Sequence, residues 1–300
     1  MSHEMAPWVP MFIQSCKNNT EPFVPFQFAT VDKLTNKPRC RTVVFRDFLF
    51  HDKKTNVLTF NTDMRSSKIT ESFIEPSSSN SGGDNQRCET PFFEVCVYFP
   101  ETWEQYRFSG QSFILSRQFK EIPDEIISKY EIFSPRLSEA SDNSTDEDID
   151  TSINDHNDKN NDADDHNINN DNTLIKTTDD DDDDDEHHED EDSQPQPQEW
   201  DAELLRQWSS LSRHTKSLYR KPAPGQKLTS ETSKQLDKLH RGVDGAKEDV
   251  GLENFGIVCL CIDSVDYLNL KEGRGGERWI FQKTDGKDEE DLWEEQEVCP

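Results

Sequence analysis

Arg41-Thr-Val-Val-Phe-Arg46 and, after a turn, Leu58-Thr-Phe-Asn-Thr-Asp-Met-Arg-Ser-Ser-Lys68 decide how this chain is read. The first is a β-branched strand flanked by arginines; the second is a strand whose end gathers Thr62, Asp63, Arg65, Ser66, Ser67 and Lys68. Hydroxyls and cations massed just past a strand can give several charge-assisted hydrogen bonds to one phosphate, and arginine does so in a planar fork. The pattern predicts a phosphate-binding corner on a β-scaffold. Such a cluster taken alone is more often a solvated turn. What favours the corner is its order with motifs further along the chain.

Outward from that stretch, β signals dominate. Phe23–Val31 alternates as a strand and Asp32–Pro38 turns it into Arg39–Arg46, a hairpin, and Val57–Phe60 adds a third strand to a meander. Upstream, Pro7–Lys17 predicts a helix that packs on the sheet, with Trp8, Met11, Phe12 and Ser15 on one stripe. Downstream of Lys68, Ile69–Ile74 reads as a helical turn or two, and Pro76–Arg87 as a Ser/Gly-rich loop. Pro91–Phe99 and Glu104–Leu115 form a second hairpin, interrupted at Gly110, and Phe119–Phe133 has helical spacing.

The charge then separates the chain. Of a net charge of -29, most lies between Glu139 and Asp192, where 24 carboxylates meet two lysines. That stretch cannot bury enough apolar surface to offset ordering entropy, and disorder is expected from residue 137 to 198. Its His-Asp clusters read as a solvated insertion rather than a metal site. Order resumes with an amphipathic helix carrying Leu204, Leu205, Trp208 and Leu211, extended or followed by Ser212–Tyr219, and Gln226–Glu253 reads as a polar linker with some helical potential. Four strands close the chain: Asn254–Ile262, Val265–Leu270, Glu277–Gln282 and Leu292–Val298.

The acidic balance disfavours nucleic acid, whose phosphates it would repel. No run of eighteen apolar residues and no basic-then-apolar leader is present, so a soluble, intracellular, cytoplasmic protein is expected. Seven dispersed cysteines, an odd number, predict reduced and mainly buried thiols; Cys259 and Cys261 would share one strand face in packing, with no metal site. Neither β-run closes its own edges, but the two together could form one barrel around a long insertion, because loop-closure cost grows slowly with length. Residues 1–136 and 199–300 are thus expected to be two parts of one barrel domain, flanking the acidic insertion at 137–198.

In order, these motifs resemble the FMN-binding split-barrel superfamily, in the branch similar to pyridoxamine 5′-phosphate oxidase, over about Ala6–Ile132 and Trp200–Pro300. Arg41-Thr42-Val43-Val44 resembles the family's Arg-x-Val-Leu strand, and Thr62–Lys68 its Thr-x-x-x-Ser-Arg-Lys corner. The resemblance implies an α+β fold, mainly an antiparallel split β-barrel with packed helices, and a homodimer with FMN at the subunit interface. It implies that Arg41, Ser66 and Lys68 hold the phosphate, with Arg65 replacing the family's arginine where Ser67 stands. Thr42, Val43 and Val44 would meet the isoalloxazine through the strand, Phe60 and Thr62 would lie along the flavin, and Gln105 and Arg278 would approach its ring. Leu268 stands where those oxidases have a tryptophan, and Arg274-Gly-Gly-Glu277 lacks their Arg-x-His pair. FMN-dependent oxidoreduction of a substrate other than pyridoxamine phosphate is therefore expected, with no general base named by the sequence. The alternative is a non-catalytic barrel whose acidic segment docks partners.

Overall fold

The strand-forming runs pair into a nine-stranded sheet, in a computed structural model that describes residues 4–74, 88–136, 194–240, 248–271, 275–284 and 292–300. The Ser/Gly-rich stretch, nearly all of the acidic insertion and the Asp285-Gly286 turn lie outside the described residues. The strands are β1 (Pro25–Asp32), β2 (Lys37–Val44), β3 (Asp47–Phe48), β4 (Val57–Asp63), β5 (Phe92–Phe99), β6 (Glu104–Ser116), β7 (Phe255–Asn269), β8 (Glu277–Lys283) and β9 (Trp293–Val298). The helices are α1 (Trp8–Asn18), α2 (Asp124–Tyr130), α3 (Pro197–Ser209), α4 (Arg213–Leu218) and α5 (Ser230–His240).

The sheet runs β2-β1-β5-β6-β7-β4-β3, every neighbour antiparallel. β3 follows β2 after two residues, so both ends of that order belong to one stretch of chain and the sheet closes on itself. The Arg46 amide donates to the Thr59 carbonyl at 2.9 Å along this seam. β7 comes from beyond the acidic insertion yet lies between β6 and β4, so both ends of the sequence build one barrel. Bending the sheet round in this way brings its two end strands, β2 and β3, together through the short Phe45-Arg46 link.

Two strands expected around residues 254–270 are one, β7. The reason is a bulge: Ser109 pairs with Ser264 but Gly110 with Ile262, so Asp263 is an extra residue that bends the strand without ending it. Before the bulge β7 pairs with β4, after it with β8, and there the barrel splits. Gly110 is needed at this point, because a methyl there would strike the Cys261 carbonyl oxygen. The helix expected over 119–133 is confined to α2, which begins after Pro123. The stretch read as a polar linker holds α5, and a 3-10 turn covers Glu248–Asn254.

Two cores result. Phe12 from α1 plugs the barrel, its ring edge-on to Phe45, Tyr106 and Phe108 at 5.3–5.4 Å, while Phe26, Phe28 and Phe60 fill the interior. Each ring so buried contributes about 1.5–3 kcal/mol. Outside the barrel, α2 and α3 cover Phe113, Leu115, Phe255, Cys259 and Cys261 with Ile126, Trp200, Leu204 and Trp208. All seven cysteines are free; Cys259 and Cys261 are buried together as expected, whereas Cys40 and Cys299 are exposed. Among the described residues no helix is long and apolar enough to cross a membrane and no group of metal-ligating side chains gathers.

Candidate phosphate and flavin site

The corner after β4 is shaped by Asp63. Its carboxylate accepts from the Arg65 amide at 2.9 Å, and its carbonyl from the Ser66 amide and hydroxyl at 3.0 and 2.7 Å. An aspartate closing its own turn in this way reverses the chain sharply. The reversal returns Lys68 over the strand end, where Nζ donates to the Thr62 and Ser66 hydroxyls, each at 2.9 Å. Lys68 makes no ion pair with any described residue. A single π-helical turn, Ile69–Phe73, follows and carries Glu71 and Ser72.

Arg41 approaches from the neighbouring hairpin. It pairs with Phe28 across β1 and β2, so its side chain starts on the interior face, and its guanidinium lies 5.5 Å from the Phe28 ring centroid. Its Nη1 donates to the Thr30 hydroxyl at 2.8 Å, and Nη2 to Glu71 Oε2 at 2.9 Å. Ser72 completes the group by donating to the Thr30 hydroxyl at 3.0 Å. Arg41 and Lys68 are close enough to repel. Burial first, and then the Arg41 charge, push the Lys68 ammonium below its ordinary pKa, against the opposing pull of Asp63 and Glu71. Burial likewise lowers the Arg41 guanidinium, with Glu71 opposing. Two crowded cations among hydroxyls, one without a carboxylate of its own, suit a multiply charged anion such as a phosphate ester. In chemical type this donor set fits the phosphate of FMN.

Not every expected residue joins this group. Phe60 is fully buried, edge-on to Phe26 and Phe28 at 5.9 and 5.1 Å, so its side chain belongs to the core and not to this group. Arg65 turns away from the cations: Nε and Nη2 grip Asp63 at 2.9 and 2.6 Å, while Nη1 and Nη2 reach the Lys221 and Tyr219 carbonyls at 2.9 and 3.1 Å. These bonds make it a brace between the corner and the chain after α4, not a replacement phosphate ligand. Ser67 is exposed and offers only its carbonyl, to Thr70. Val43 packs partly against the barrel core.

The remaining expected residues lie on the opposite face of the sheet. Arg278 pairs with Leu268 and Leu268 with Gln105, and Gln105 pairs with Tyr98, so one row crosses β8, β7, β6 and β5. Paired residues share a face. Gln105 alternates with the fully buried Tyr106, which sets this row on the outer surface, and Thr42 and Val44 alternate likewise with Arg41 and Val43. Arg278 holds Asp266 through Nε and Nη2 at 2.9 and 2.8 Å. Within one chain the cationic corner and this row stay apart.

Sequence reading missed Glu71, Thr30 and Ser72. Glu71 alone left a signal, standing three residues after Lys68 on a predicted helical turn.

The fold and site together define an antiparallel β-barrel with a cationic, hydroxyl-lined corner at the end of one strand. Residues 5–116 match the family described as pyridoxamine 5′-phosphate oxidase, FMN-binding domain. An uncharacterized protein of Saccharomyces cerevisiae, YGR017W, is 82% identical over the full length of both chains. Pyridoxine/pyridoxamine 5′-phosphate oxidase 2 of Arabidopsis thaliana is 34% identical over 115 residues, which are 37% of this chain and 48% of that one. Among crystal structures, a pyridoxamine 5′-phosphate oxidase-related, FMN-binding protein from Nostoc punctiforme superposes over all of both chains with TM-score 0.56 and 20% identity. PhzG from Burkholderia lata, solved with tetrahydrophenazine-1-carboxylic acid, covers 99% of this chain and 94% of its own with TM-score 0.50 and 12% identity. At these identities the structural likenesses concern the fold, which is the split barrel expected from the sequence. Over residues 5–116 the chain carries a domain of the pyridoxamine 5′-phosphate oxidase, FMN-binding family, and its fold is a split barrel.

Proposed function

We propose that this chain binds FMN and acts as an FMN-dependent oxidoreductase on a substrate other than pyridoxamine phosphate. The observation that carries the reading is the pair Arg41 and Lys68, brought from two hairpins to one place and set among the hydroxyls of Thr62, Ser66 and Thr30. Lys68 and Arg41 take the phosphate, Ser66 and Thr62 orient Lys68, and Arg65 keeps the turn in shape from behind. Bound FMN would supply the redox chemistry, accepting or giving a hydride at its ring. The chain's own part is to anchor, orient and electrostatically bias it.

The split between corner and outer platform supports a homodimer. In a two-fold assembly the platform of one copy can face the corner of its partner, so that Gln105 and Arg278 reach a flavin held by the partner's phosphate corner. Arg278 there would present a positive group near the ring, with Asp266 fixing its direction. Leu268, half-buried between Gln105 and Arg278, offers an apolar surface where the family's B6 oxidases have an aromatic ring, which favours another substrate. The barrel parts 1–136 and 199–300 form the catalytic unit.

The test is the absorption spectrum of the purified protein, with the cofactor released by heat and identified by mass. Flavin bands and a released FMN are expected. A colourless protein that takes up no FMN on incubation would overturn the reading.

A further inference from the structure

We propose that Glu71 is a built-in counter-anion of the corner, which competes with the ligand phosphate for Arg41 and holds the affinity for FMN below what the cations alone would give. This rests on the FMN reading above.

The argument starts from the pairing of charges. Arg39 has Asp32 at 2.9 Å, Arg65 has Asp63 at 2.6 Å, and Arg41 has Glu71 at 2.9 Å. Lys68 alone of the four has hydroxyls and no carboxylate among the described residues. A phosphate dianion that spans Lys68 and Arg41 therefore arrives beside a carboxylate already on Arg41. Both side chains of that ion pair are largely sheltered, at 18% and 16% exposure, so water screens the repulsion poorly.

The geometry also gives Glu71 somewhere to go. Arg39 and Arg41 are two positions apart on β2 and share a face, and the second oxygen of Glu71, Oε1, lies 3.6 Å from Arg39 Nε. A small swing transfers the carboxylate from Arg41 to Arg39 while the ligand takes over the Arg41 fork. Arg41 stays oriented meanwhile, because Nη1 keeps the Thr30 hydroxyl. Glu71 thus sets the affinity without being needed for the fold of the corner.

Glu71→Gln separates charge from positioning, since the amide oxygen can still accept from Arg41 Nη2. FMN titrations of wild type, E71Q, E71A and K68M, followed by flavin fluorescence, are the test. E71Q is expected to bind FMN about tenfold tighter than wild type, E71A tighter by less, and riboflavin binding is expected to be the same in all. Thermal melting adds a second readout: inorganic phosphate should raise the melting temperature of E71Q more than that of wild type. If K68M loses affinity while E71Q and E71A bind FMN no tighter than wild type, the counter-anion role is overturned and the FMN reading stands. If wild type does not bind FMN at all, or K68M binds as wild type does, the FMN reading itself fails and takes this one with it.

Discussion

Lys68 Nζ reaches back across the turn to the Thr62 hydroxyl at 2.9 Å, so that the last interior-facing side chain of β4 and the lysine that closes the turn form one donor set. A charge held in this way, sheltered and close to Arg41, is costly unless an anion joins it.

Lys68→Met is accordingly expected to weaken FMN binding by about 1.5–3 kcal/mol, roughly 10- to 100-fold in Kd, because one charge-assisted phosphate contact is lost. Stability should hold or rise, since a sheltered charge without a carboxylate partner is replaced by an apolar chain of similar length. Fluorescence titration and thermal melting check both halves; a large loss of stability with unchanged Kd would contradict them.

The lowered pKa of Lys68 sets a sign for pH. In the unliganded protein the unfolded chain binds this proton more tightly, so the Lys68 contribution to stability rises with pH from its folded pKa to the ordinary lysine value. FMN binding runs the other way: it needs the charged ammonium, and affinity should fall at a lower pH than an ordinary lysine would dictate. The phosphate is already a dianion in that range, so it does not mask the effect. In K68M the alkaline decline in affinity should shrink.

Arg65→Ala removes the bidentate grip on Asp63 and the bonds to two carbonyls, which is expected to cost about 1–3 kcal/mol of stability. Arg65→Lys should recover little, because a single ammonium cannot span the fork. Urea unfolding measures this directly, and a Kd for FMN lost without any loss of stability would show Arg65 to be a ligand instead.

Leu268→Glu places a charge on the outer row between Gln105 and Arg278, and is expected to convert a dimer to a monomer and to lower flavin retention with it. Sedimentation gives the mass and absorbance the flavin. A monomeric wild type that retains FMN would rule out a site shared between subunits.

Most of the scaffold was legible in the sequence, because runs such as Phe92–Phe99 alternate core and solvent at the strand period and leave few other uses for their aromatics. The continuity of β7 was not: Asp263-Ser264 looks like a break, and only the shift of pairing from Ser109 with Ser264 to Gly110 with Ile262 turns it into a bulge. The grouping of Thr62, Ser66 and Lys68 was legible because the three are close in sequence. The contacts of Arg65 and Glu71 were not legible, because their partners, Tyr219, Lys221 and Arg41, are brought near by the fold alone. That Arg41 and Gln105 face opposite ways follows from strand register, which local composition does not encode.

The most direct measurement compares FMN with riboflavin on the wild-type protein, by quenching of flavin fluorescence at fixed ionic strength. The two differ only in the phosphate, so binding through Arg41 and Lys68 predicts FMN to be at least about 100-fold tighter, from two charge-assisted contacts. Equal affinity for the two flavins, or none for either, would contradict the assignment of this corner.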